Sequence, residues 1–196
     1  MSPRTQEQNE QIRQERRQKI MDTALRLFGE SSYQSTSIQK IAKEVGVSKG
    51  LLYNYFESKE ELLQAIINEG MEELLDYFDP NKDGVLTKEE LEQFVAMSFK
   101  TVEDNPVFWK LYMSLLMQQN VIELLGAHIL ETMVGMLDML AKYYALCGVK
   151  NPTALARLAG ATLDGITVNY VMDPENFPLN EVKEIVMQQF VDVAKK

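Results

Sequence analysis

Histidine and cysteine are nearly missing from this chain: His128 and Cys147 are the only ones. A single cysteine excludes an intrachain disulfide and suits a reducing cytoplasm. With one histidine at 128 and one cysteine at 147, no family spacing for a nucleophile pair or a zinc site arises. No Gly-x-Ser-x-Gly elbow, phosphate loop or zinc pattern is present. An enzyme is therefore not expected, and no cofactor is required. Internal repeats and low-complexity stretches are also lacking. The segment Met1 to Lys19 is polar, without the apolar core of a signal peptide. No apolar run is expected to approach the roughly 20 residues of a membrane span. A soluble, cytoplasmic protein without a membrane partner is expected.

The net charge of −9 argues at first against a nucleic-acid partner, but its distribution does not. Residues 1–60 carry ten Lys and Arg against eight Asp and Glu; the remainder carries ten against twenty-one. A local basic face suffices to bind DNA, and an acidic body would repel DNA elsewhere. A merely solvated acidic surface would give the same asymmetry.

Helical periodicity dominates. Ile20, Ala24, Leu27 and Phe28 form one stripe, and Ile38, Ile41, Ala42 and Val45 a second. Leu63, Ile67, Met71, Leu74 and Phe78 form a third. Leu155, Leu158, Ala159, Thr162, Leu163, Ile166 and Tyr170 form a long one, and Val182, Ile185, Val186, Phe190 and Val193 the last. Asp79-Pro80, Asn105-Pro106, Asn151-Pro152 and Asp173-Pro174 break the pattern, because proline pushes the preceding residue out of helical geometry. Gly148 marks another helix end. An all-α protein of about nine helices is expected: a three-helix head over 1–60 and a helical body over 61–196.

The informative stretch runs from Thr36 to Leu63. A short helix over Ser37–Val45 is followed by Gly46, which can adopt the positive φ of a tight turn. Ala42 and Gly46 stand where two helices are expected to approach closely. Ser48 caps a second helix running through Phe56, with Leu52 and Phe56 toward the core. This outlines a helix-turn-helix, whose second helix enters the major groove. Lys49 and Gly50 open that helix; the lysine can reach a phosphate or a guanine edge, and the glycine admits close backbone approach. Tyr53 and Tyr55 offer hydroxyls to phosphates. Ser58 caps the next helix, with Lys59 beside it. The other reading of these helices is an ordinary structural three-helix unit.

The stretch resembles the tetracycline-repressor (TetR) family of bacterial regulators. The resemblance rests on Tyr33 to Ile38, Ile41-Ala42, Gly46 to Gly50, Leu52-Tyr53, Tyr55-Phe56 and Ser58 to Leu62. The preceding helix matches too, at Ile20, Ala24, Leu27, Phe28 and Gly29. It is specific over roughly residues 12–68 and only architectural beyond. It implies a DNA-binding head and dimerisation through the last two helices, with release from DNA by a small molecule. By position, Thr36, Ser37, Tyr53, Tyr55 and Lys59 would hold phosphates. Lys49, Gly50, Leu51 and Asn54 would lie nearest the bases. The expected partners are double-stranded operator DNA, a second copy of the chain and a small-molecule effector. A nucleoid-associated, bacterial location follows from the same resemblance.

A second motif lies outside that pattern. Asp79 to Glu90 fits the EF-hand calcium loop. Asp79, Asn81 and Asp83 supply side-chain oxygens, Gly84 the sharp turn and Val85 its carbonyl. Thr87 acts through water, and Glu90 closes the site with two oxygens. Calcium at this loop would fix the angle between the flanking helices and tune DNA affinity. The same residues are also ordinary turn and capping chemistry. A calcium sensor with a vestigial helix-turn-helix is thus the second reading of function.

The body is rich in aromatics and methionine. Phe108, Trp109, Tyr112, Met113, Met117, Met133, Met136 and Tyr144, with Asp164 as a polar group, are candidates for a ligand pocket between helices; plain core packing is the alternative. His128 reads as structural or solvated. Ala156, Ala159, Gly160, Ala161 and Gly165 permit close helix approach. With the Val182–Val193 stripe, they would form a four-helix dimer seam.

Overall fold

The computed structural model describes residues 6–193, and among these every side chain except those at 73 and 74. Residues 1–5 of the expected head, and Leu74 of the third stripe, lie outside what is described. The described residues form nine α-helices and no strand. They are α1 (Gln6–Ser31), α2 (Ile38–Val45), α3 (Lys49–Tyr53), α4 (Lys59–Phe78) and α5 (Lys88–Asp104). Then come α6 (Pro106–Leu116), α7 (Gln119–Leu146), α8 (Pro152–Met172) and α9 (Leu179–Val186), the last running into a π-turn at Met187–Val191.

Local chemistry explains the boundaries. Ser37, Ser48 and Ser58 each accept an N–H from the first turn they precede, at 3.2, 3.1 and 3.0 Å, satisfying donors a helix start leaves orphaned. Thr87 and Glu90 form a reciprocal capping box at the head of α5. Asn105 Oδ1 accepts from Phe108 N at 3.1 Å to open α6. Gly46 ends α2 at φ +83. An added Cβ at Gly46 would meet nothing within 4 Å. Its need for glycine is therefore conformational, not the close helix approach expected from the sequence.

The chain divides into two compact units. Unit 1 holds residues 1–69 and 114–124; unit 2 holds 70–113 and 125–196. The division thus falls inside α4 rather than at residue 60, and the turn between α6 and α7 goes with the head. In unit 1, Ile20, Ala24, Phe28, Ile41, Leu52, Leu63 and Ile67 are fully buried. Leu115 and Val121, from the α6–α7 segment, are as well.

In unit 2, Phe78 meets Phe94 edge-on at 5.0 Å between ring centroids. Fully buried Tyr144 donates its hydroxyl to Phe190 O at 2.9 Å, tying α7 to the π-turn. Gly70 lies so close to Tyr112 that a Cβ would fall 2.7 Å from the ring, so α4 and α6 touch through a glycine. The small residues of α8 divide in two. Ala156 and Ala159 are buried within the chain, and Gly160 faces Leu137 of α7. Ala161 is exposed, and Gly165 has open space above it. Helix α7 corrects one expectation: by length and composition it is apolar enough to cross a membrane. Only Glu131 and Asp138 are charged between Leu124 and Ala141, so the apolar stretch outruns its periodicity.

Candidate nucleic-acid interface

The helix-turn-helix forms as α2, a turn at Gly46-Val47, and α3. Val47 N donates to Ala42 O at 2.9 Å, folding the turn back on α2. α3 is shorter than expected, ending at Tyr53 with Asn54 as its C-cap. Tyr55 and Phe56 therefore sit in the following turn, both bonding through their N–H to Leu52 O. The reason is packing: Phe56 is buried, with the Arg17 guanidinium 5.0 Å from its ring centroid. Leu52 and Phe56 face the core as expected.

What α3 presents outward is polar and open. Lys49, Gly50, Tyr53 and Asn54 are exposed, and Leu51 and Tyr55 are half-buried. The Lys49 ammonium lies 5.8 Å from the Tyr53 ring centroid. A Cβ on Gly50 would meet nothing, so that end of the helix is unobstructed. Ser37 is exposed; while its oxygen caps α2, its O–H remains able to donate.

Two expected phosphate contacts turn inward. Thr36 is 1% exposed, and its hydroxyl donates to Ser32 O at 2.9 Å and Leu27 O at 3.2 Å. It cannot reach DNA, because it ties the α1–α2 loop to the end of α1. Lys59 is half-buried. Its ammonium donates to Tyr33 O at 3.1 Å and Thr36 O at 3.2 Å and lies 4.2 Å from the Tyr33 ring centroid. An ammonium has three N–H groups, so Lys59 holds the loop with two and has one left to present. Tyr33 donates its hydroxyl to Glu60 Oε1 at 3.2 Å. Burial, and then the Glu60 charge, push the Tyr33 phenol well above its ordinary range. Glu60 is held below its usual value, first by its own backbone N–H and also by the Tyr33 hydroxyl.

Sequence reasoning missed Gln118. Its Oε1 accepts from Tyr33 N at 2.8 Å and its Nε2 donates to Phe28 O at 2.9 Å. The only trace in sequence is the polar run Gln118-Gln119-Asn120 between two apolar helices.

The calcium-loop residues form a closed connector. Asp79 accepts from Asp83 N at 3.2 Å and Gly84 N at 3.1 Å, and Asn81 Oδ1 from Asp83 N at 2.9 Å. Gly84 takes φ +73. Glu90 accepts from Thr87 N and Oγ1, and from Asn81 Nδ2 at 3.2 Å. Val85 is exposed. Among the described residues, no three His, Cys, Asp or Glu side chains converge to hold a metal. The loop matches the EF-hand in residue identity but, among the described residues, does not gather its carboxylates.

The expected pocket residues do not line the described cavity. That cavity measures about 20 Å³, roughly one water, between Ser98, Phe99, Val102, Leu163, Ile166, Thr167 and Leu179. Instead Phe108, Trp109 and Tyr112 pack on one another along α6, at 5.5 to 5.7 Å between centroids. Trp109, Tyr112 and Tyr144 are buried, Met113 and Met136 half-buried, and Met117, Met133 and Asp164 exposed.

Among the described residues, then, the chain is all-helical, with a capped helix-turn-helix ahead of a larger set of helices. Residues 20–66 match the model of bacterial regulatory proteins of the tetR family, a stretch that holds α2, α3 and the adjoining parts of α1 and α4. The fatty acid degradation regulator FadR from Bacillus halodurans superposes with a TM-score of 0.71 at 26% identity, over 90% of this chain and 94% of that one. Among relatives, the uncharacterized HTH-type transcriptional regulator YuxN of Bacillus subtilis is 52% identical over 54 residues, 28% of this chain. That match spans only 19% of YuxN's length. IcaR of Staphylococcus epidermidis, a negative transcriptional regulator of the biofilm operon icaADBC, is 28% identical over 127 residues, 64% of this chain and 68% of IcaR.

Proposed function

We propose that this chain is a transcriptional repressor that binds a palindromic operator as a homodimer and is released by a small molecule. The observation that carries the reading is the outward, unobstructed start of α3, with Ser48 spent as its cap and Lys49, Gly50, Tyr53 and Asn54 exposed. Such a helix end presents base-reading and phosphate-binding groups to the major groove. Lys49, Gly50, Leu51 and Asn54 read bases, while Ser37, Tyr53, Tyr55 and the remaining N–H of Lys59 hold phosphates.

The dimer is supported by α8. Ala154, Leu158, Ala161, Gly165, Val168 and Met172 recur at alternating four- and three-residue spacings, the pattern of a helix seam. Leu158, Val168 and Met172 are 57, 41 and 77% exposed in the single chain. Soluble monomers rarely leave such a stripe uncovered. Release by an effector is supported by the aromatic and methionine content of α6 and α7, which can repack around a guest.

A mobility-shift titration against the chain's neighbouring genomic DNA tests the reading. Lys49→Ala and Tyr53→Phe are expected to weaken binding about tenfold each, and loss of one phosphate contact lowers the log–log salt slope by about one. Wild type without preference for any duplex would end it. The reading needs no calcium. Calorimetric titration of calcium into wild type and Glu90→Gln decides whether an ion joins the 79–90 loop. Heat in wild type alone adds calcium to the account, and none in either leaves the loop a connector.

A further inference from the structure

The inference rests on the DNA-binding reading above and concerns a residue the helix-turn-helix does not contain. Helix α1 ends at Ser31, and Ser32 takes the left-handed φ of 79. After such a residue, the next N–H ordinarily folds back to the carbonyl that opens the helix's last turn. Here that pair is Tyr33 N–H and Phe28 O. The Gln118 amide stands between them instead, accepting from Tyr33 N at 2.8 Å and donating to Phe28 O at 2.9 Å. One side-chain amide thus does the work of a peptide group at a helix end more than eighty residues away in sequence.

Tyr33 is the hub of the groups that face DNA. Its carbonyl accepts from Lys59 Nζ and from Thr36 N. Its hydroxyl donates to Glu60, in the first turn of α4. Ser37, the α2 cap, follows Thr36 directly. Fixing Tyr33 N therefore fixes where α2 and α4 begin. Asn120, two residues beyond Gln118, has a buried Nδ2 with no partner. Leu115 and Val121 seat this segment by burial, and of its polar side chains it is Gln118 that ties it to the end of α1.

We propose that Gln118 is a positioning residue for DNA binding: its amide completes the C-terminal cap of α1 and holds Tyr33, Lys59 and Ser37 in the DNA-reading arrangement. Loss of the amide leaves Tyr33 N–H and Phe28 O to water and unties Tyr33.

The test uses the full chain and two readouts: amide hydrogen exchange by NMR, and anisotropy with a fluorescent duplex selected by wild type from a random library. Gln118→Met, close in length but without hydrogen bonds, is expected to speed Tyr33 amide exchange and weaken the duplex, each about tenfold. The α8 amides, in the other unit, keep their wild-type rates. Asn120→Leu, in the same turn, binds the duplex at or above wild-type affinity. A Tyr33 amide in wild type that exchanges as freely as that of exposed Ser35 overturns the bridge without any variant. Unchanged Tyr33 exchange in Gln118→Met overturns it too. Faster exchange with unchanged duplex affinity overturns the positioning role, as does an equal loss in Asn120→Leu. If wild type selects no duplex, the DNA-binding reading falls and the positioning role with it. The exchange rates separate that outcome from failure of the bridge.

Discussion

The two units close their structures in different ways. The head is finished by named polar atoms: serine caps at 37, 48 and 58, the Thr36 hydroxyl, the Lys59 ammonium and the Gln118 amide each satisfy a specific backbone group. The body is finished mainly by apolar contact, and it leaves Leu158, Val168, Met172 and Ile185 exposed. A head built this way is complete in one chain. A body built this way is completed by whatever covers it, which the proposal takes to be a second copy.

The largest test of that contrast lies in the head's core. Phe28 is fully buried, and its ring meets Tyr33 edge-on at 5.1 Å. Phe28→Ala is expected to cost about 3–5 kcal/mol, read as a lowered denaturant midpoint. A loss under about 1 kcal/mol would mean the head is not the self-sufficient unit described.

A charge on the seam should do less to the fold and more to assembly. Leu158→Asp places a carboxylate in the proposed interface at a cost of about 2 kcal/mol or more per buried copy. Sedimentation is expected to show a dimer for wild type and a folded monomer for the variant. An unchanged dimer would move the interface off α8.

The smallest effect is expected at Asp164. The residue as a whole is exposed in the single chain, yet partial burial of its carboxyl raises it above the ordinary value of 3.8. The folded state then binds the proton more readily than the unfolded one. Stability therefore declines as pH rises from 3.8 through the raised value, and the deficit persists at neutral pH. Asp164→Asn should raise the thermal midpoint at pH 7 and leave it unchanged at pH 3. Equal shifts at both would place the effect elsewhere.

The same contrast governs what could be read from sequence. Helix boundaries and caps were legible, because Ser37, Gly46, Ser48 and the Asx-Pro breaks act over a few residues. The exposed start of α3 was legible for the same reason. Thr36 was misjudged, and Lys59 in part, since two of its three N–H groups turn inward. Whether a hydroxyl or an ammonium faces solvent or a loop carbonyl depends on how α1 and α4 pack, not on neighbouring letters. Gln118 was invisible because its partners at 28 and 33 are joined to it only by folding. The aromatic run of α6 reads in sequence either as pocket lining or as core packing, and Phe108, Trp109 and Tyr112 pack on one another. Composition cannot distinguish a lined cavity from a filled one.

The most direct test of the central claim is a hydroxyl-radical footprint of the full chain on the duplex it prefers. Two protected half-sites centred about 34 Å apart, one turn of B-form DNA, with both protections lost in Lys49→Ala, are the predicted result. A single protected patch, or protection that survives Lys49→Ala unchanged, would contradict a paired reading by the start of α3.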